Sequence, residues 1–474
     1  MRSPAIARAR ASGSVGSIVR TTPFSRITRG TVDATRVAKP DPPAGRLEGH
    51  GHRRDPAHPG RHARRCELLA DQRLAANTLA GVAYEPLTGE QREIRDLVRQ
   101  LARERIAPRA AAIDESHEFP WDVVELFREN DIFGLFFDEE HGGLGTGTLL
   151  SLVAIEEISK VCATSGLILA VQELGSLGLK LAGNEEQKGR YLPRLASGEW
   201  LCAYALTESG SGSDSAAMRS SARREGDEYV LNGSKRFITN AGVAQLYTVF
   251  AKTDPEAGHS GISAFVVEAD TPGFEVARVE PKMGIKGSTT GELVFEEAHV
   301  PAGNLLGGEG EGFKIAMRIL DRSRPGVAAQ GLGLAQGATD YALEYAKTRE
   351  TMGQPIGQHQ LVAAMLADME TKCEAARGLL YKFGAAVDEG IDGSELTKLS
   401  AMTKLYCTDV AMEVTTDAVQ VLGGYGYISE YPLERMMRDA KITQIYEGTN
   451  QIQRLVIARE MLKEQRAFLL AGVG

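Results

Sequence analysis

The 474 residues carry 54 basic and 63 acidic side chains, a net charge of −9, and are 43% hydrophobic, which suits a chain able to bury large cores in roughly two to four domains. The charge is uneven. The first 65 residues hold 13 arginines and Lys39 against Asp33, Asp41, Glu48 and Asp55, a net of +10 that leaves −19 on the remainder, and an acidic body argues against nucleic acid as a partner. No run approaches the roughly 18 apolar residues needed to span a bilayer, so no integral membrane segment is expected. The cysteines (Cys66, Cys162, Cys202, Cys373, Cys407) are odd in number and free of CxxC or Cys/His clusters. They point to a reducing compartment, with no disulfide framework and no metal site.

Residues 1 to 83, rich in Arg, Pro, Gly and His without an apolar period, read as a disordered or targeting-like extension. The first 32 contain no acid, the composition of a mitochondrial transit peptide. A cytoplasmic bacterial protein with an upstream extension or misassigned start would look the same, and both locations stay open. Structure is predicted to begin at "LTGEQREIRDLVRQLARERI", where Thr88 and Gln91 form a capping-box pattern and Ile94, Leu97, Val98 and Leu101 mark one helical face. Residues 84 to 200 read as an N-terminal α-helical domain, interrupted by the loop "EEHGGLGTG". Residues 201 to 308 change to short β-rich runs between Gly, Pro, Asn and Asp turns, a middle domain expected to be a small antiparallel barrel or sandwich.

Residues 309 to 474 are helical again. Val362, Leu366, Met369, Cys373, Ala376, Leu380, Phe383 and Val387 step by 4 and 3 alternately, a seam for antiparallel helices in which Cys373 is a small buried hydrophobe. With "FKIAMRIL", the stretch 326 to 347 and the run 395 to 422, a C-terminal four-helix bundle is expected. The whole is an α+β chain in three structured parts.

Five segments carry polar chemistry. "YALTESGSGSDSAA" (204–217) offers Thr207, Ser211 and Ser213 among small residues that let backbone N–H groups approach a ligand, although a flexible linker has the same composition. "FITNAG" (237–242) pairs an aromatic face with Thr239 at a strand end. "TRETMGQPIGQHQ" (348–360) places Arg349, Thr351, His359 and Gln360 between two helices. "QVLGGYGYISEYPLERMMRD" (420–439) follows a long helix with Gly423, Gly424 and Gly426, without the βαβ setting of a dinucleotide fold. "GGEGEGF" also lacks a preceding parallel strand and reads as the lead-in to a helix. "QIYEGTNQIQR" (444–454) surrounds Glu447 with apolar residues and, taken alone, reads as a helix-start acid.

These segments occur in the order and spacing of the acyl-CoA dehydrogenase family, and the chain resembles that family over roughly residues 85 to 465. Both signatures, the T-E-x-x-x-G-S-D loop and the Q-x-x-G-G-x-G helix end, are complete. The resemblance implies an enzyme with FAD in a cleft between the β domain and the helical domains. It would remove an α-proton and a β-hydride from an acyl-CoA to give a trans-2-enoyl-CoA, and pass electrons to electron transfer flavoprotein.

It further implies that Glu447 is the base. Some relatives carry the base at the position of Ser323, which serine cannot replace. Asp321 and Arg324 would flank the pantetheine, with Arg324 near the base, while Tyr446 and Gly448 would border the substrate, Gly448 leaving room for thioester and flavin. Ser213 would contact substrate at the cofactor's edge, and Thr207, Phe237 and Thr239 would lie against the flavin ring, Phe237 standing where a tryptophan is frequent. Arg349, Thr351 and Gln360, with Gln420, Gly423 and Gly424, would reach the FAD of a neighbouring subunit, and Thr449 and Gln451 its adenosine side. Shared cofactor sites imply a homo-oligomer, usually a homotetramer.

The acyl pocket should be lined by "LILAVQELGSLGL". With no Arg or Lys between Lys160 and Lys180, a monocarboxylic acyl-CoA of short to medium chain is expected. An acyl-CoA oxidase or related flavoenzyme using O2, and a non-catalytic acyl-CoA-binding bundle, are the rival readings.

Overall fold

A computed structural model describes residues 87 to 471, with side chains to residue 463. The N-terminal extension and Cys66 lie outside the described residues. The first helix, α1 (Gly89–Leu101), opens where Thr88 Oγ1 accepts from the Gln91 N–H at 3.2 Å while Gln91 Oε1 accepts from the Thr88 N–H at 3.0 Å. That is the reciprocal cap the sequence signalled. Val98 is buried and Ile94 and Leu101 pack on the core. Leu97, at the edge of the stripe, is 44% exposed and does not join them.

Two short helices, α2 (Ala110–Ser116) and α3 (Trp121–Glu129), lead to α4 (Gly147–Ser159) and α5 (Ala163–Ala182). These last two are mainly apolar and buried along nearly their whole length, the pattern of helices enclosed by others. Helix α6 (Glu185–Ala196) closes the region behind a second capping box from Asn184 to Gln187.

The β region comprises β1 (Cys202–Ala205), β2 (Ser221–Glu225), β3 (Glu228–Thr239), β4 (Leu246–Lys252), β5 (Ile262–Glu268), β6 (Phe274–Val279), β7 (Thr290–Pro301) and β8 (Leu305–Leu306). They form one eight-stranded sheet in the order β6-β7-β3-β2-β4-β5-β8, with β1 beside β4. The expected antiparallel arrangement needs correction: β1 runs parallel to β4, and β2 meets β4 in parallel at Ser221 and Lys252. Turn residues mark where strands end but not which strands pair. Along β5 Ile262, Ala264 and Val266 join the main helical core, whereas Phe265 and Val267 join a second apolar cluster with Tyr229, Phe274 and Phe295. Both faces of the strand are therefore covered, in keeping with period 2.

Beyond the sheet, α7 (Gly312–Thr348) runs unbroken for 37 residues. In the sequence "FKIAMRIL" and 326 to 347 read as separate stretches, and Pro325 lies between them. Proline removes one backbone hydrogen bond, but burial of both flanks holds the helix together across it. At Gly337 an added Cβ would lie 1.9 Å from the Lys160 carbonyl oxygen, so glycine permits the close approach of α7 to the end of α4.

A hairpin of β9 (Glu350–Thr351) and β10 (Gln354–Pro355) precedes α8 (Gln360–Asp388) and α9 (Gly393–Leu422). In the predicted α8 seam Met369, Cys373, Ala376, Leu380 and Phe383 are fully buried, and Val362, Leu366 and Val387 pack against them. The chain ends in α10 (Leu433–Thr443) and α11 (Asn450–Ala471). Among the described residues the cysteines are free thiols, and no helix is long and apolar enough to cross a membrane.

Candidate active site

The turn between α10 and α11 carries Glu447. It is not a helix-start residue: α11 begins at Asn450, and Thr449 caps it, its Oγ1 accepting from the Ile452 N–H at 3.3 Å. Glu447 instead occupies the left-handed region at φ 52°, a conformation costing a non-glycine residue about 1–2 kcal/mol that surrounding contacts must hold. Gly448 follows at φ 90°, where a Cβ would sit 2.6 Å from Gln453 Nε2. The positive φ and this neighbour both favour glycine here.

The Glu447 carboxylate meets α7. Ser323 Oγ donates to Glu447 Oε2 at 2.5 Å, and Arg324, 4% exposed, lies close enough to act on its charge. Arg324 is oriented by Asp321, Nη1 to Oδ1 at 2.8 Å, and Asp321 accepts in turn from Thr397 at 2.6 Å. The Nε of Arg324 and the hydroxyl of Tyr204 are buried without a hydrogen-bond partner, two donors near the carboxylate still to be satisfied. Tyr446 donates its hydroxyl to Gln330 Oε1, and the Gln330 amide donates to the Ala163 carbonyl at 2.9 Å. Dehydration raises the Glu447 pKa above the usual carboxylate range, while the Ser323 hydrogen bond and the charges of Arg324 and Lys404 oppose it. A carboxylate so placed is a stronger base than one in water.

On α5, Glu173 is 8% exposed and its pKa is pushed up to about 7, chiefly by burial, with the Glu447 charge adding to the effect. It borders a cavity of about 230 Å³ with Leu177, Lys180, Phe136, Arg322 and Val387. The stretch between Lys160 and Lys180 holds no cation, and the fold brings Lys180 itself and Arg322 of α7 to this wall. Both are engaged: Lys180 donates to the Phe136 carbonyl and lies 4.4 Å from the Phe137 ring centre, and Arg322 pairs with Asp392 at 3.5 Å.

The residues that the family resemblance assigns to the cofactor fall into two groups. At the first, the Arg236 N–H donates to the Thr207 carbonyl at 2.8 Å, tying the 204–217 loop to the end of β3, where Phe237 stands 59% exposed at φ 59° with half-buried Thr239 beside it. Glu208 anchors the loop: it accepts from the backbone N–H groups of Arg219 and Ser220 and from fully buried Lys235 at 2.7 Å. Ser213 is exposed on this loop.

At the second group, Thr351 Oγ1 lies 3.0 Å from His359 Nε2 and the Arg349 guanidinium 5.5 Å from the Tyr425 ring, joining the hairpin to the 423–427 turn that follows Gln420. Gln360 and Gln451 are exposed in the first turns of α8 and α11.

Three family models match the chain: the acyl-CoA dehydrogenase N-terminal domain over residues 88–199, the middle domain over 203–298 and the C-terminal domain over 310–462. The chain belongs to the acyl-CoA dehydrogenase family. It is 49% identical over 377 residues to the cyclohexane-1-carbonyl-CoA dehydrogenase of Geobacter metallireducens, covering 79% of this chain and 98% of that one. The butyryl-CoA dehydrogenase structure from Megasphaera elsdenii matches with a TM-score of 0.78 at 42% identity, over 80% of this chain and 100% of that one. An acyl-CoA dehydrogenase from Bacillus anthracis, solved in complex with FAD, matches with a TM-score of 0.75 at 35% identity, over 81% of this chain and 69% of that one.

Acyl-CoA dehydrogenases are FAD enzymes, and the residues present fit the cofactor. Phe237 offers a largely exposed ring, with the Arg236 guanidinium 5.3 Å from its centre, in a conformation the local backbone does not favour. Thr289 Oγ1 is buried without a partner on the residue before β7, and added Cβ atoms at Gly423 and Gly424 would meet nothing within 4 Å, which leaves their backbone open to a ligand.

Sequence reasoning missed Ser323 as a partner of the base, Lys404 and Gln453 beneath its turn, Tyr204, and Glu173. Only Glu173 had a local signal, an acid inside the apolar run "LILAVQELGSL". The others become visible when distant segments meet.

Proposed function

We propose that this chain dehydrogenates a monocarboxylic acyl-CoA thioester to the trans-2-enoyl-CoA, with Glu447 taking the α-proton, and passes the electrons to electron transfer flavoprotein. FAD, when bound, accepts the β-hydrogen as hydride. The observation that carries the reading is the carboxylate of Glu447, dehydrated and held by Ser323 beside Arg324.

Each residue then has a task. Ser323 fixes the carboxylate oxygen that stays behind, leaving the other free for the proton. Arg324, oriented by Asp321, and Tyr204 offer donors to the thioester arm, and Tyr446, tied to Gln330, walls the acyl chain. Ser213, Thr207, Phe237 and Thr239 bind the isoalloxazine side, Phe237 supplying the stacking face. Arg349, Thr351, Gln360, Gln420, Gly423 and Gly424, with Thr449 and Gln451, hold the rest of the cofactor across a subunit boundary. Exposed Met352, Leu361 and Tyr427 beside these residues support a homotetramer, since large apolar side chains at 95%, 83% and 82% exposure suit an interface. A cytoplasmic location in a bacterium goes with this reading.

Anaerobic titration with butyryl-, isobutyryl-, octanoyl-, palmitoyl- and glutaryl-CoA tests it. Bleaching of the yellow flavin, fastest with a short or medium monocarboxylic chain, is expected. Fastest bleaching by glutaryl-CoA would overturn the substrate class, and rapid reoxidation by air with peroxide release would make the protein an oxidase.

A further inference from the structure

Lys404 lies in the middle of α9 and is fully buried, yet the reaction as described gives it no task. Its Nζ donates to the Gly448 carbonyl at 2.9 Å and to Asn450 Oδ1 at 2.8 Å. Gln453 Nε2 reaches the same Gly448 carbonyl at 2.9 Å. Asn450 is pinned from its other side, its Nδ2 donating to Thr408 Oγ1 at 2.9 Å and Asp409 Oδ1 at 2.7 Å, while its own N–H donates to the Gln444 carbonyl at 3.0 Å. The Gly448 carbonyl, which closes the left-handed pair Glu447–Gly448, is thus fastened to α9 and to the first turn of α11.

We propose that Lys404 is a positioning residue for the base, its buried ammonium clamping the Gly448 carbonyl and the Asn450 side chain so that the turn keeps the Glu447 carboxylate at Ser323. The inference rests on Glu447 being the base. A neutral donor could hold the turn, but the ammonium's charge also favours the ionised form of the carboxylate. The other charges acting on Lys404 are Arg324 from α7 and Asp409 on its own helix, the latter paired with Arg454 of α11 at 2.9 Å. A lysine this dry is costly, and burial pushes its pKa down to about 7. A hydrophobic residue would fill the space without that cost, so the charge calls for a task beyond packing.

Lys404→Met and Lys404→Gln in the full-length, FAD-loaded protein test the proposal by stopped-flow flavin reduction. The substrate is the panel member that bleaches the wild type fastest, used across a pH series. Lys404→Met is expected to keep FAD and near-normal acyl-CoA affinity while flavin reduction slows on the order of 10- to 100-fold, the loss that goes with misplacing a reacting group by about 1 Å. Its acid limb should also move to higher pH. Lys404→Gln, a donor without the charge, should recover most of the rate and keep the displaced limb.

A Lys404→Met protein with the wild-type rate and limb would overturn the proposal. A rate loss explained wholly by missing FAD would do the same, as would failure of both variants to hold FAD, which would make Lys404 a folding residue only. Failure of the functional reading itself is separate and shows in the wild type, which no acyl-CoA would then bleach.

Discussion

Replacing Ser323 by alanine removes the one hydroxyl that donates to Glu447 Oε2, at 2.5 Å, from a residue that is itself 3% exposed. A hydrogen bond to a charged group contributes about 1.5–3 kcal/mol, and one pKa unit corresponds to about 1.4 kcal/mol, so the loss amounts to about 1–2 units. The direction follows from what the bond stabilises. Ser323 favours the ionised carboxylate, whose pKa burial has already raised, so Ser323→Ala raises it further. Glu447 works as a base only when ionised, and the rate of flavin reduction rises with pH through its pKa. The acid limb of that profile should therefore shift to higher pH by about 1–2 units. Below the limb the variant should be about 10- to 100-fold slower. On the alkaline plateau, where the carboxylate is ionised in both proteins, the difference should shrink to the part that Ser323 contributes by positioning the carboxylate. Single-turnover reduction under anaerobic conditions between pH 5.5 and 9 reads this directly. A Ser323→Ala profile superimposed on the wild type would refute the assignment of Ser323 as the support of the base.

Two further substitutions probe the frame of the site. Gly448→Ala forces a side chain onto a φ of 90° and within 2.6 Å of Gln453 Nε2. It should cost about 1–2 kcal/mol in a thermal or denaturant melt and slow flavin reduction as well, and wild-type behaviour in both would contradict the account of this turn. Glu208→Ala leaves the Lys235 ammonium buried without its carboxylate and the Arg219 and Ser220 N–H groups unmet. Breaking a buried pair costs about 3–5 kcal/mol, so the variant should melt earlier and come off purification short of flavin. Full flavin occupancy with an unchanged melt would show that Glu208 does not anchor the loop.

How far the sequence carries depends on the range of the interaction. The cap at Thr88 and the seam from Met369 to Phe383 are local or periodic, and both were legible. The continuity of α7 through Pro325 was not, because a local helix breaker is overruled by burial on both sides that only the folded chain provides. Parallel pairing of β1 with β4 links residues more than 40 apart and leaves no mark in either strand. At the site, the segment around Glu447 could be singled out by its family motif. Its left-handed backbone, the contact from Ser323 124 residues earlier, and Lys404 beneath the turn depend on three elements meeting. The cavity beside Glu173 makes the same point. No cation lies between Lys160 and Lys180, and the fold brings Lys180 itself, near the end of α5, and Arg322 of α7 to the cavity.

In the proposed reaction Glu447 removes the proton, while FAD binding and substrate binding depend on other residues. Anaerobic titration of Glu447→Gln beside the wild type tests it most directly. The wild-type flavin should bleach on addition of acyl-CoA. Glu447→Gln should stay yellow while still showing the spectral shift of a bound ligand, with reduction slowed at least about 100-fold, the lower part of what a positioned base contributes. Bleaching of Glu447→Gln at the wild-type rate would contradict the account.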